Sequence, residues 1–177
     1  EKPKEKRMNK LSVIQSLWIG KELSVMERLS ISSFLQNGHP FHLYVYDDVS
    51  GIPDGVTIMD ASKILSPDRI FKYKKHNSYA GFANLFRYKL LLEKEAYWAD
   101  TDVVCLKEFK HNEEYVFTAE RMPKRFFKNK LRFGSCIIKT PKDSAIMDYC
   151  YNKSAKKNSN YLVWGQTGPL LLTKAIK

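Results

Sequence analysis

Ala96-Tyr97-Trp98-Ala99-Asp100-Thr101-Asp102-Val103-Val104-Cys105-Leu106 holds two apolar runs separated by a pair of aspartates. The aromatic run before them reads as a buried strand, and the carboxylates stand at its carboxyl end, where open α/β sheets place their ligands. Asp100 and Asp102 are two residues apart, so a strand extended through both would turn their side chains to one face. Two carboxylates on one face suit a hard divalent cation, Mg²⁺ or Mn²⁺, whose remaining positions go to phosphate oxygens. Aspartate also forms turns, so a solvated turn explains an isolated D-x-D equally well. The surrounding chain decides between the two.

Immediately upstream, Phe82, Leu85, Phe86, Lys89, Leu90 and Leu92 recur at helical spacing, predicting a helix over Ala80 to Lys94 that carries Arg87 and leads into the strand. Further back, Leu11 to Ile19 is an apolar run closed by Gly20 and reads as the first buried strand. Ser24-Val25-Met26-Glu27 is a capping box, opening a helix to Asn37 with Gly38 as its stop. Phe41 to Tyr46 alternates as a second strand ending on Asp47 and Asp48. Strand, capped helix and strand make a βαβ unit with parallel strands. Val56 to Met59 adds a third strand, and Ser66-Pro67 reads as an N-cap with proline at the first helical position. Downstream the pattern predicts strands at Tyr115 to Ala119 and Ser135 to Lys139 around a basic aromatic loop, Arg121 to Phe133. A helix opened by Pro141, a polar linker from Asn152 to Asn160, and a last helix after Thr167-Gly168-Pro169 complete the chain. The expected architecture is α/β, a Rossmann-like, mostly parallel sheet with flanking helices, in one domain over 11–177. Residues 1–10 read as a basic tail, with Met8 a candidate native start.

With 177 residues, 44% hydrophobic and 13% aromatic, the chain can bury a sizeable core, which excludes a disordered protein. No apolar run approaches the roughly 18 residues of a membrane span, and the charged start has no apolar region behind it. Cys105, Cys136 and Cys150 are odd in number and fit neither a zinc nor a disulfide spacing, pointing to core roles in a reducing, cytoplasmic setting. The net charge of +11 gathers at Glu1 to Lys10, Lys72 to His76, Arg121 to Arg132 and Lys153 to Lys157. Such charge serves nucleic acid, an anionic membrane surface or a phosphorylated substrate, or simply solvates loops.

The order of motifs, Trp18-Ile19-Gly20 after the first strand, a helix bearing Arg87-Tyr88, an aromatic strand into Asp100-Thr101-Asp102, and Thr167-Gly168-Pro169, resembles the DXD-motif sugar transferases of glycosyltransferase family 32. These include capsular, lipopolysaccharide and mannosyl transferases and are related to the catalytic core of clostridial glucosylating toxins. The resemblance runs from Val13 to Thr173 and rests on order and spacing. It implies a GT-A-like fold, a nucleotide-sugar donor with UDP-hexose favoured, a glycan or lipid-linked acceptor, Mn²⁺ or Mg²⁺, and retention of configuration. It further implies a place in bacterial surface polysaccharide synthesis; the basic residues, scattered over several loops and not gathered into one groove, suit the inner face of an anionic membrane, and no nucleic acid partner is expected. Carried over position by position, Trp18 stacks on the base while Ile19 and Gly20 pair with its edge. Arg87, thirteen residues before Asp100, lies near the donor sugar and phosphates. Asp102 is the direct metal ligand, and Asp100 meets the ribose or reaches the metal through water. Asp100, Asp102 and Arg87 are thus the catalytic candidates. Trp98 stands where the family usually has tyrosine, and Glu95-Ala96 where it has Gly-Gly. Asn84 replaces a family aspartate and keeps the capacity to bond a sugar hydroxyl. Arg121, Lys124, Arg125, Lys128 and Lys130 are further candidates to offset phosphate charge. Family members continue past T-G-P, so a C-terminal segment is expected to be missing.

Three other readings fit part of the pattern. Asp100-Thr101-Asp102-Val103-Val104 matches the D-x-D-x-[TV] signature of haloacid-dehalogenase-like phosphatases, with the first aspartate as nucleophile. That motif normally closes a domain's first strand, whereas here a βαβ unit precedes it. Tyr and Phe among lysines at Phe71 to Lys75 and Arg125 to Phe133 would serve a non-enzymatic nucleic-acid module. Asn84 and the chain's shortness fit an inactive transferase-like scaffold.

Overall fold

Ile14–Trp18 (β1) is buried along nearly its whole length, as a strand in the middle of a parallel sheet must be. The computed structural model describes residues 11–110, 112–121 and 131–177. Ser24 opens the helix Val25–Gln36 (α1) through the predicted capping box: its hydroxyl accepts from Met26 N at 3.2 Å, and Glu27 Oε2 accepts from Ser24 N at 2.7 Å. Gly38, at φ +82°, ends it in a conformation that L side chains rarely adopt. Phe41–Val45 (β2) then runs parallel to β1, with Ile14 opposite Phe41 and Trp18 opposite Val45, completing the βαβ unit. Val56–Asp60 (β3) adds parallel to β2.

The helix Ala80–Glu93 (α2) returns the chain to Ala96–Ala99 (β4), parallel to β1 on its other side. Leu131–Thr140 (β6) is antiparallel to β4, and Val116–Arg121 (β5) antiparallel to β6, with a register shift between Phe117 and Ala119. The six-stranded sheet has the order β3-β2-β1-β4-β6-β5 and is mostly parallel, as expected. Alternation along β4 sends Tyr97 to the face where Ile31 and Phe34 of α1 pack. Trp98 goes to the opposite face, with Phe82 and Phe86 of α2 and with Met147 and Leu172 from Ala145–Ala155 (α3) and Pro169–Ile176 (α4). Among the described residues, helices therefore cover both faces, α1 on the first and α2, α3 and α4 on the second.

Several boundaries differ from the sequence reading. Ser66-Pro67 opens only one helical turn, Pro67–Arg69, and the Ser66 hydroxyl bonds the Asp68 carboxylate in place of a backbone N–H. Pro141 starts a turn, not the helix: Asp143, at φ +58°, donates its N–H to Leu92 O at 2.9 Å, and α3 begins at Ala145. α3 also takes in the first residues of the expected polar linker, through Ala155. β6 begins at Leu131 and absorbs Phe133, read above as loop, because pairing with β5 outweighs the local polarity. The strand expected to extend through both aspartates stops at Ala99. Residues 122–130 of the basic aromatic segment, with Lys124, Arg125, Lys128 and Lys130, lie outside the described residues, as does the Arg121 side chain. The three cysteines are free thiols, Cys105 and Cys150 buried. Among the described residues no helix is long and apolar enough to cross a membrane.

Candidate active site

β1 and β4 pair only over Ile14 with Tyr97 and Gln15 with Trp98. Where the register ends, the buried Ser16 hydroxyl donates to Ala99 O at 2.7 Å and satisfies that carbonyl. β1 continues along β2, β4 continues along β6, and the strands part at the point where the chain has switched from one side of the sheet to the other. Ligands of open α/β sheets bind at such switch points. A cleft of about 470 Å³ opens there, with Trp18 and Ile19 from β1 and its following turn, Arg87 from α2, and Asp100 and Asp102 beyond β4 in its walls.

Asp100 lies two residues beyond Trp98 and so faces the same way, toward α2. Buried Arg87 meets it there, Nη2 at 3.0 Å from Oδ1 and Nη1 at 3.5 Å from Oδ2. Trp98 Nε1 donates to the same Oδ1 at 2.8 Å, and the guanidinium stands 4.8 Å over the Trp98 ring. Arg87 also donates to Ser135 O, and from Nε to Ala83 O at 3.3 Å. Four of its five N–H groups are thus engaged within the protein, and the arginine holds a carboxylate in place. Burial pushes the Asp100 carboxyl above its ordinary range; the Arg87 charge and the Trp98 N–H pull against this, and the nearby Asp102 charge adds to it.

Asp102 stands differently. Val103 N donates to Asp100 O at 3.2 Å, closing a turn that lifts Asp102 out of the strand into an exposed position on the cleft wall. The expected geometry of two carboxylates side by side on an extended strand is replaced by one carboxylate on the strand's face and one on the turn. The turn is anchored to α1: Ser30 Oγ donates to Val103 O at 2.6 Å, and Cys105 N to Ser33 Oγ at 2.8 Å. Among the described residues Asp102 has no hydrogen-bond or ion-pair partner, and none form a cluster of three or more His, Cys, Asp or Glu suited to a metal. One free carboxylate backed by one engaged carboxylate fits Mg²⁺ or Mn²⁺, cations that keep waters and take phosphate oxygens in most positions.

The half-buried Trp18 ring lines the cleft, and its indole N–H is buried without an acceptor among the described residues. Gly20 follows closely: a Cβ there would come within 3.1 Å of Trp18 Nε1. Trp98 is fully buried and acts through Asp100 and Arg87. Asn84 is not on the cleft wall; its side chain is buried, Nδ2 at 3.4 Å from Thr167 Oγ1, against Gly168. The structure therefore gathers Trp18, Ile19, Arg87, Trp98, Asp100 and Asp102 and leaves Asn84 one layer behind. Sequence reasoning missed Ser16, the capping Glu27, and Asn77 to Tyr79 at the start of α2, all on the cleft wall. Only Glu27 carried a local signal, and that signal was for capping.

No family model matches this sequence, and no curated protein matches it. Seven chains among the solved structures do match in fold. One, titled PaToxG Glycosyltransferase, is similar with a TM-score of 0.62 over 94% of this chain and 68% of that one, at 18% sequence identity. The chain has a glycosyltransferase fold. Within that fold its cleft lies at the carboxyl ends of β1 and β4, with a buried arginine behind one aspartate and a free aspartate in front.

Proposed function

We propose that this chain is a metal-dependent glycosyltransferase that moves a hexose, with retention of configuration, from a nucleoside diphosphate sugar to a glycan or lipid-linked acceptor. A UDP-hexose is the favoured donor. The observation that carries this reading is the pairing, at the sheet's switch point, of the engaged Arg87–Asp100 couple with the unpartnered Asp102. Asp102, with Asp100 behind it, would hold Mn²⁺ or Mg²⁺, which when bound supplies positive charge opposite the leaving diphosphate. Trp18, half-buried on the cleft wall, offers its ring to the base. Ile19 and Gly20 shape the base pocket, and Arg87 adds positive potential at the cleft floor while fixing Asp100. The net charge of +11 favours an anionic donor and work beside an anionic membrane. Nucleotide sugars are cytoplasmic currency, and surface polysaccharide synthesis on that side is the setting this reading favours.

The phosphatase alternative needs Asp100 as a free nucleophile. Its Oδ1 is held by both Arg87 and Trp98, and Oδ2 faces Arg87, so the carboxylate is occupied in the resting fold. The test is a panel of nucleotide sugars incubated with and without Mn²⁺. Metal-dependent release of the nucleoside diphosphate from one of them is expected; no release from any, with no metal-dependent nucleotide binding, contradicts the proposal.

A further inference from the structure

One rim of the cleft is built from a turn, and the loop before α4 packs on that turn. Tyr73 N donates to Ser78 O at 2.8 Å to close the turn, and Lys72 Nζ donates to Asn77 Oδ1 at 3.0 Å while lying 4.7 Å over the Tyr79 ring. Asn77, Ser78 and Tyr79 line the cleft directly. The loop before α4 folds onto this turn: the Trp164 ring lies 5.2 Å from Tyr73 and 4.9 Å from His76. Leu162 packs against Gly81, where a Cβ would meet it at 3.0 Å and Phe71 at 2.8 Å, so a larger residue would push these side chains aside. Despite this anchoring the loop's outer faces are bare, with Trp164 54% exposed, Val163 65% and Tyr161 82%. The exposed faces thus sit on a loop anchored to the turn whose Asn77, Ser78 and Tyr79 line the cleft, as an apolar patch beside it.

We propose that this rim is the acceptor subsite, and that it takes a carbohydrate whose ring stacks on Trp164. The assignment rests on the glycosyltransferase reading above for its place in the reaction, and on the rim's own chemistry for its ligand. A pyranose ring has an apolar C–H face and a polar edge. The rim carries both kinds of group: the exposed Trp164 ring and, next in the chain to the His76 it touches, Asn77 and Ser78 on the cleft wall. An extended peptide would instead add to a sheet edge, and the edge strands β3 and β5 lie elsewhere. In the transfer, the acceptor hydroxyl oxygen bonds the anomeric carbon as that carbon's bond to the diphosphate oxygen breaks. The electron pair leaves on the diphosphate, which also receives the hydroxyl proton.

The chain has three tryptophans, so ¹⁵N-indole spectra of the whole protein resolve the two subsites. Methyl glycosides of glucose, galactose, mannose and N-acetylglucosamine, with their disaccharides, are the acceptor probes; UDP with Mn²⁺ is the donor probe. At least one glycoside is expected to move the Trp164 signal, while UDP moves that of Trp18. If UDP moves nothing, the transferase reading fails while the glycoside arm still decides this one. A Trp164 signal unmoved by every glycoside, or moved as much by an unstructured peptide, overturns the assignment. With whichever nucleotide sugar is hydrolysed, W164A is expected to lower the ratio of transfer to hydrolysis about tenfold, and W164F to recover part of it. Retained Trp18 and Trp98 signals report that each variant is folded. Hydrolysis and transfer falling together in W164A would also overturn the assignment.

Discussion

Two regions of this sheet place aspartates at the carboxyl ends of parallel strands, and only one looks built for chemistry. β2 and β3 end on Asp47, Asp48 and Asp60 around a hollow of about 540 Å³, no smaller than the cleft beside β4. There, Asp60 accepts from Ser62 N at 2.9 Å and Ser62 Oγ at 2.6 Å, and these bonds hold its carboxyl below the ordinary range. Among the described residues no cation lines that hollow, and its strands lie toward the sheet edge. Beside β4, a buried arginine and an indole N–H fix one carboxylate while a turn presents another, at the place where β1 and β4 diverge. Acidic residues and space are therefore not enough. What separates the regions is an internal counter-charge that lets one carboxylate be partly buried and leaves its neighbour free.

The largest expected effect tests that counter-charge. Arg87→Ala leaves Asp100 without its cation and should cost about 3 kcal/mol in urea unfolding, the lower end for breaking a buried pair because 30% of the Asp100 side chain faces the cleft. Asp47→Asn and Asp48→Asn should stay within about 0.5 kcal/mol of wild type. Equal losses in all three would erase the contrast between the regions.

Nucleotide affinity sharpens it next. Trp18→Ala should weaken nucleoside diphosphate binding by roughly 1 to 3 kcal/mol, the range for bases stacked on aromatic rings. Tyr46→Phe, in the other hollow, should leave it unchanged. If Trp18→Ala only lowers the melting temperature, with normal affinity once folded, Trp18 belongs to the core. A smaller effect is expected from Ser16→Ala, which leaves Ala99 O without its 2.7 Å bond and should cost about 1 kcal/mol of stability. No measurable loss would mean that the hydroxyl does not tie β1 to β4 where they part.

The elements framing the cleft were legible because local chemistry specifies them. The Ser24 capping box, Gly38, the helical spacing from Phe82 to Leu92 and the aromatic run into Asp100 each carry their signal within a few residues. The Ser66-Pro67 and Pro141 signals misled for a related reason: a cap or proline permits a helix, but nucleation needs packing behind it, and Asp143 is instead bonded to the end of α2. What could not be read lies across the sheet. That Arg87 would be consumed in holding Asp100, that Trp98 would lie beneath its guanidinium, and that Asn84 would turn to Thr167 all depend on how α2 and α4 dock on β4. The full length of β6 depended likewise on its pairing with β5.

The central claim is that Asp102, free on its turn, is where a cation and a nucleoside diphosphate are held together. Calorimetric titration of UDP into wild type, Asp102→Asn and Asp48→Asn, each with and without Mn²⁺, tests it most directly. Mn²⁺-dependent binding in wild type and Asp48→Asn, abolished in Asp102→Asn with an unchanged melting temperature, is the predicted result. Equal UDP affinity in wild type and Asp102→Asn with Mn²⁺ present would contradict it.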